Sequence, residues 1–204
     1  MTQSNPATTD PRPIHSSARQ GQADSVLGTR NLMTVAALSV VGMIILLPLN
    51  YLAPATGVTS TGAVFAGVAI MGLWVIPYLL PATVVRRPGA VIIAALIMGI
   101  ISVFTTPSGP GALVGNLLGG AFIEVPLALM LYRKWTWWSF LISAAVFGLI
   151  NGTMYIMLLK EAVGLSVSLP LVVVSIISAL VGGAITIGLT RLLNNAGVGI
   201  DNRA

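Results

Sequence analysis

The sequence has no cysteine, a single histidine (His15), and a charged fraction of only 7% across 204 residues. Without cysteine there are no disulfides and no thiolate-bound metals, and one histidine in a polar tail supports neither an imidazole metal site nor a catalytic triad. The shortage of charge excludes an ordinary water-soluble domain, which carries about 25% charged residues. No acid or base occurs within residues 31–85, 88–123, 135–159 or 162–190. No G-x-x-x-x-G-K-[ST] phosphate loop is present, so ATP hydrolysis is not expected from this chain. Nor do the residues assemble paired acids or a nucleophile with its base, so no enzymatic activity and no cofactor are expected.

What is present is apolar: 56% of the residues are hydrophobic and the mean hydropathy is +0.96. A helix crosses the hydrocarbon of a bilayer with about 20 apolar residues, so the chain reads as an all-α integral membrane protein. The net charge of +5 is carried by scattered single residues and pairs between apolar runs. That pattern points to membrane topology and not to nucleic acid.

Residues 1–29 are rich in Ser, Thr, Gln, Pro and Ala and contain no apolar run. A disordered cytoplasmic tail is expected there, without the apolar core of a signal peptide. Six transmembrane helices are expected near 32–52, 60–80, 89–106, 112–132, 138–159 and 169–192, punctuated by Gly, Pro and Ser-Gly clusters. They make one transmembrane domain over 30–193, followed by a short cytoplasmic tail at 194–204. With both termini cytoplasmic, Arg12, Arg19, Arg30, Arg86, Arg87, Arg133, Lys134, Arg191 and Arg203 lie inside, and only Lys160, beside Glu161, lies outside. The bias of basic residues toward the cytoplasm supports this layout. Trp135, Trp137 and Trp138 follow the basic pair at 133–134 as an expected interfacial belt. Gly111, Gly115 and Gly119, and likewise Gly148 and Gly152, have the spacing of close helix packing.

Glu124 is the one ionisable residue inside a predicted helix core. An acid at the centre of a crossing costs roughly 2.5 to 3.5 kcal/mol on insertion scales, so it persists where it meets a cavity, a partner or a ligand. Three roles remain open for it: ligand contact, pairing inside the bundle, and proton coupling. Asn116 lies eight positions earlier on the same broad face. Asn151 and Tyr155 are one turn apart in the fifth helix, and Asn50 and Tyr51 close the first helix on the same outer side. Together these groups are expected to line an outward-facing pocket, with Glu124 at its bottom, suited to a small planar ligand with amino or cationic substituents. Trp74 is a further candidate, with lipid or packing contact as its alternative.

The stretches RNLMTVAALSVVGMIILL (30–47), GLWVIPYLLPATVVRRPGA (72–90) and LLGGAFIEVPLALMLYRKW (117–135) resemble the membrane-embedded S components of energy-coupling factor transporters. Among these the chain most resembles the YkoE type, associated with thiamine and its hydroxymethylpyrimidine precursor. The resemblance implies an S-component bundle in a prokaryotic plasma membrane. It implies capture of a vitamin or precursor from outside, for import driven by a transmembrane T protein and two ABC ATPases. It also implies a docking face for the T protein on small residues of the first helix, here Ala36, Ala37, Ser39 and Gly42. Two departures from the family pattern stand out: VIIAALIMG follows PGA without an acid, and Gly119 stands where a glutamine is usual. The alternatives to an S component are a stand-alone carrier, proton-coupled through Glu124, and a non-transporting membrane scaffold.

Overall fold

A chain buried in hydrocarbon satisfies its backbone polar groups within helices or closed barrels, and among the described residues all regular structure is helical. The computed structural model describes residues 27–56, 61–133, 135–163 and 169–197, with side chains described at 27–51, 62–133, 135–157 and 169–197. Most of the expected N-terminal tail, with Arg12 and Arg19, lies outside the described residues, as do Lys134, Arg203 and the side chains of Lys160 and Glu161.

The helices are α1 (Thr29–Thr56), α2 (Thr61–Ala69), α3 (Val75–Val85), α4 (Ala90–Thr105), α5 (Pro110–Leu129), α6 (Trp137–Val163) and α7 (Leu169–Asn195), with a 3-10 turn at Met71–Trp74. Among the described residues five segments are long and apolar enough to cross a membrane: Thr29–Tyr51, Gly62–Val85, Pro110–Leu129, Trp137–Met157 and Leu169–Asn195. Between the second and third of these lies a shorter apolar helix, α4, of 16 residues.

The expected single helix over 60–80 is broken. Gly72 is a poor helix former, and Pro77 has no N–H to return to Leu73 O. The chain therefore tightens into the 3-10 turn before resuming as α3. The expected helix over 112–132 stops at Leu129, because Leu131 and Tyr132 take left-handed conformations, φ 55° and 52°. Tyr132 N–H then reaches back to Leu127 O (3.1 Å), closing the helix end. In contrast α1 runs on past Pro48 to Thr56.

Neighbouring crossings are joined by close approach and by hydroxyl groups, the forces available where water exclusion does not act. Ser143 Oγ donates to Ile123 O (2.8 Å) between α6 and α5, and Ser175 Oγ donates to Gly148 O (2.7 Å) between α7 and α6. The hydroxyls of Thr83 and Thr190 meet at 2.6 Å between α3 and α7. Leu46, Leu79, Val91, Met98 and Ile123 fill the space among α1, α3, α4 and α5.

Two of the four residues expected on a docking face of α1 are turned inward. Ser39 is buried and donates to Val35 O, and a Cβ on Gly42 would stand 3.0 Å from Pro77 Cβ. Gly42 is thus the notch that lets α1 lie against α3. Ala37 is exposed and Ala36 half-buried. The tryptophans also divide: Trp137 and Trp138 are exposed, whereas Trp135 stacks on Tyr132 with ring centroids 5.8 Å apart and packs against Phe140.

Candidate functional site

A cavity of about 500 Å³ lies between the 3-10 turn, α3, the first half of α5 and the second half of α6. Thr106 and Ser108, in the connection from α4 to α5, form part of its rim. It therefore opens toward the end of the bundle opposite Arg86, Arg87 and Arg133. Gly111 and Gly115 face it with nothing within 4 Å of a built Cβ, so they create space here and do not pack helices.

Of the expected site residues, Asn50, Trp74, Asn116, Asn151 and Tyr155 line this one cavity. Trp74 Nε1–H donates to Asn50 Oδ1 (3.2 Å), which ties the 3-10 turn to α1. Asn116 is buried with both ends of its amide engaged. Its Oδ1 accepts from Tyr78 Oη (2.8 Å) and its Nδ2 donates to Ala112 O (2.7 Å). Asn151 Nδ2 donates to Phe147 O (3.0 Å). Among the described residues this leaves Asn50 Nδ2, Asn151 Oδ1 and Tyr155 Oη without a protein partner. The cavity thus presents donor and acceptor groups above an aromatic floor.

That floor was missing from the sequence expectation. Tyr78 and Phe147 meet with centroids 6.4 Å apart at a 43° tilt, and Phe122 lines the same wall. A Cβ on Gly119 would come within 3.2 Å of the Tyr78 ring, so the bare glycine is what lets Tyr78 reach Asn116. A signal was available: a phenol and an amide, both within apolar runs, need partners at membrane depth, and each is the other's.

Tyr51 and Glu124 are not among the residues lining the cavity. Tyr51 Oη donates to Thr105 O (2.7 Å), fastening α1 to the end of α4. Glu124 is buried, 5% exposed, but it faces the opposite end of the molecule from the cavity mouth. Its Oε1 accepts from Gly89 N–H (2.7 Å) and Tyr132 Oη (2.7 Å), and its Oε2 accepts from Val91 N–H (3.2 Å). The reason lies in α4. Gly89, at its N-cap, is left-handed (φ 81°) and has no side chain to cap the first turn, so the orphan N–H groups take a carboxylate from α5. Burial, reinforced by the neighbouring carboxylate, raises the Tyr132 phenol well above its ordinary range, so it remains a donor at physiological pH.

Comparison with known proteins agrees with this architecture. Residues 30–150, more than half of the chain, match the family described as "ABC-type cobalt transport system, permease component". A solved structure described as an S-component of an ECF transporter superposes with a TM-score of 0.73 at 18% identity, covering 83% of this chain and 87% of that one. At that identity the likeness is one of fold. No curated protein matches the sequence.

Proposed function

The chain belongs to the ABC-type cobalt transport permease family, and from that premise we propose that it is the substrate-capturing S component of an energy-coupling factor importer. The multi-pass helical fold, which it shares with an S component, supports this reading. In it the six crossings, α4 included, place both termini and the arginine-bearing end in the cytoplasm, and the cavity opens outward. A T protein and two ABC ATPases supply the energy, and the chain itself catalyses no reaction.

The observation that carries the ligand class is the lining of the cavity. Its volume suits a small organic molecule and exceeds what a bare ion needs. Its described polar groups are amides, hydroxyls and an indole, with no carboxylate, imidazole or thiolate. Imidazole is a nitrogen donor suited to divalent transition metals and the described lining offers none, so the family's description is not carried over to this cavity as its cargo. A heteroaromatic ring stacked among Tyr78, Phe147 and Trp74, with its edge on Asn50 Nδ2 and Asn151 Oδ1, satisfies two of the three open groups. Hydroxymethylpyrimidine has that form, as does the pyrimidine half of thiamine. The proton-coupled carrier ranks second, because the carboxylate of Glu124 is occupied by three donors.

The test is native mass spectrometry of protein purified from rich medium, followed by calorimetric titration with hydroxymethylpyrimidine, thiamine and Co²⁺. A co-purified heterocycle, and saturable binding of one of the first two, is expected. Binding of Co²⁺ alone would overturn the ligand class.

A further inference from the structure

The break in the second crossing separates backbone groups from their helical partners, Ala69 O and Gly72 N–H among them. In a continuous helix Leu73 N–H would bond to Ala69 O and Gly72 N–H to Val68 O. Instead Leu73 N–H turns to Ile70 O (3.0 Å), so Ala69 O and Gly72 N–H need other partners. An unmet backbone group at membrane depth is costly. Both are met by one side chain from another helix. Ser178 Oγ, on α7, accepts from Gly72 N–H (2.8 Å) and donates to Ala69 O. A serine hydroxyl suits this place because it is donor and acceptor at once.

The same face of α7 holds the turn from two further positions. Ser175 Oγ stands 3.4 Å from Met71 Sδ. At Gly182 any Cβ would overlap Gly72 O, and at Gly72 any Cβ would overlap Ser178 O, so the two backbones touch here. What the turn presents on its other side is the cavity wall: Met71 and Trp74 both line it, and Trp74 carries the bond to Asn50.

We infer that Ser178 is a positioning residue for ligand capture, fixing Met71 and Trp74 in the cavity wall by supplying the hydrogen bonds that the broken crossing lacks. The inference rests on the cavity being the ligand site. Ser178 is absent from the described lining, so its effect on binding is transmitted through the turn.

The experiment pairs hydrogen–deuterium exchange with titration of hydroxymethylpyrimidine and thiamine, on the full chain in detergent micelles, for Ser178→Ala and Ser178→Thr. In Ser178→Ala, exchange is expected to rise about tenfold at residues 70–75 and to stay unchanged in α4 and α5. Affinity for the probe that binds is expected to fall about tenfold, the scale of roughly one hydrogen bond. Ser178→Thr, which keeps the hydroxyl, is expected to restore both. Unchanged exchange at 70–75 overturns the inference, and so does faster exchange spread over every helix, which would mean general destabilisation. Localised exchange with undiminished probe affinity overturns the link to capture. Should neither probe bind the unsubstituted protein, the ligand reading fails, while localised exchange rescued by Ser178→Thr still supports the clamp.

Discussion

Glu124 brings a carboxyl group into a helical bundle, and the residues around it show why it persists there. Each oxygen meets a donor, and two of the three donors are N–H groups at the start of α4, where the helix dipole favours an anion. Charge-assisted bonds of this kind contribute about 1.5–3 kcal/mol each when a partner is lost. Glu124→Gln retains the shape but turns an NH2 toward an N–H group, so it is expected to destabilise the protein by about 2 kcal/mol. Tyr132→Phe removes one donor and is expected to cost about 1 kcal/mol. The double variant should cost less than the sum, since the two groups share one bond. Thermal unfolding in detergent measures all three. Neither variant should change ligand affinity more than about twofold, an expectation that follows from their distance from the lining and not from any magnitude of bond energy. A large affinity loss with stability intact would return the carboxylate to the ligand. The sequence showed that an acid lies within an apolar run, and hence that it must be compensated. It did not show the direction, because two of the three donors belong to a backbone turn at Gly89 and Val91, more than thirty residues earlier, which leaves no signature in the spacing around Glu124.

At the scale of helices, glycines with the same spacing serve opposite purposes. A Cβ on Gly148 would stand 2.7 Å from Ala179 Cβ and 2.8 Å from Ser175 O, so α6 and α7 meet there backbone to backbone. Gly115 has nothing within 4 Å and lines the cavity. Gly148→Ala is therefore expected to push the helices apart, break the bond from Ser175, and destabilise by about 1–3 kcal/mol. Gly115→Ala should leave the unfolding midpoint unchanged, and Gly115→Leu should keep the fold while filling the cavity and abolishing binding. Unfolding curves and titrations of the three variants separate the outcomes; a Gly148→Ala protein as stable as its parent would remove the close-packing account of this interface. The presence and order of the apolar helices were legible because long apolar runs have one solution in a membrane. The break at residues 70–74 was not, since Gly72 and Pro77 weaken a helix without dictating where its freed groups find partners. That answer lies in Ser178, more than a hundred residues away.

For the whole molecule, the arrangement of arginines relates the bundle to the two faces of a membrane. Arg30, Arg86, Arg87, Arg133 and Arg191 sit at or near helix ends that alternate connectivity brings to one side. The cavity rim at Thr106 and Ser108 belongs to the other. The contacts agree with this division: Gly89 approaches Leu27 at the arginine end, and Tyr51 bonds to Thr105 at the far end. Charge bias is the ground for expecting the arginine end in the cytoplasm, because apolar runs of crossing length leave few places for basic residues to fall. The orientation can be measured directly, since the chain has no cysteine and any single introduced thiol reports its own side. Arg87→Cys is expected to react with a membrane-impermeant maleimide only after the cells are permeabilised. Ser108→Cys is expected to react in intact cells, and hydroxymethylpyrimidine or thiamine should slow that reaction by covering the rim. The reverse pattern of labelling would turn the cavity toward the cytoplasm, and the protein would then be unable to capture anything from outside.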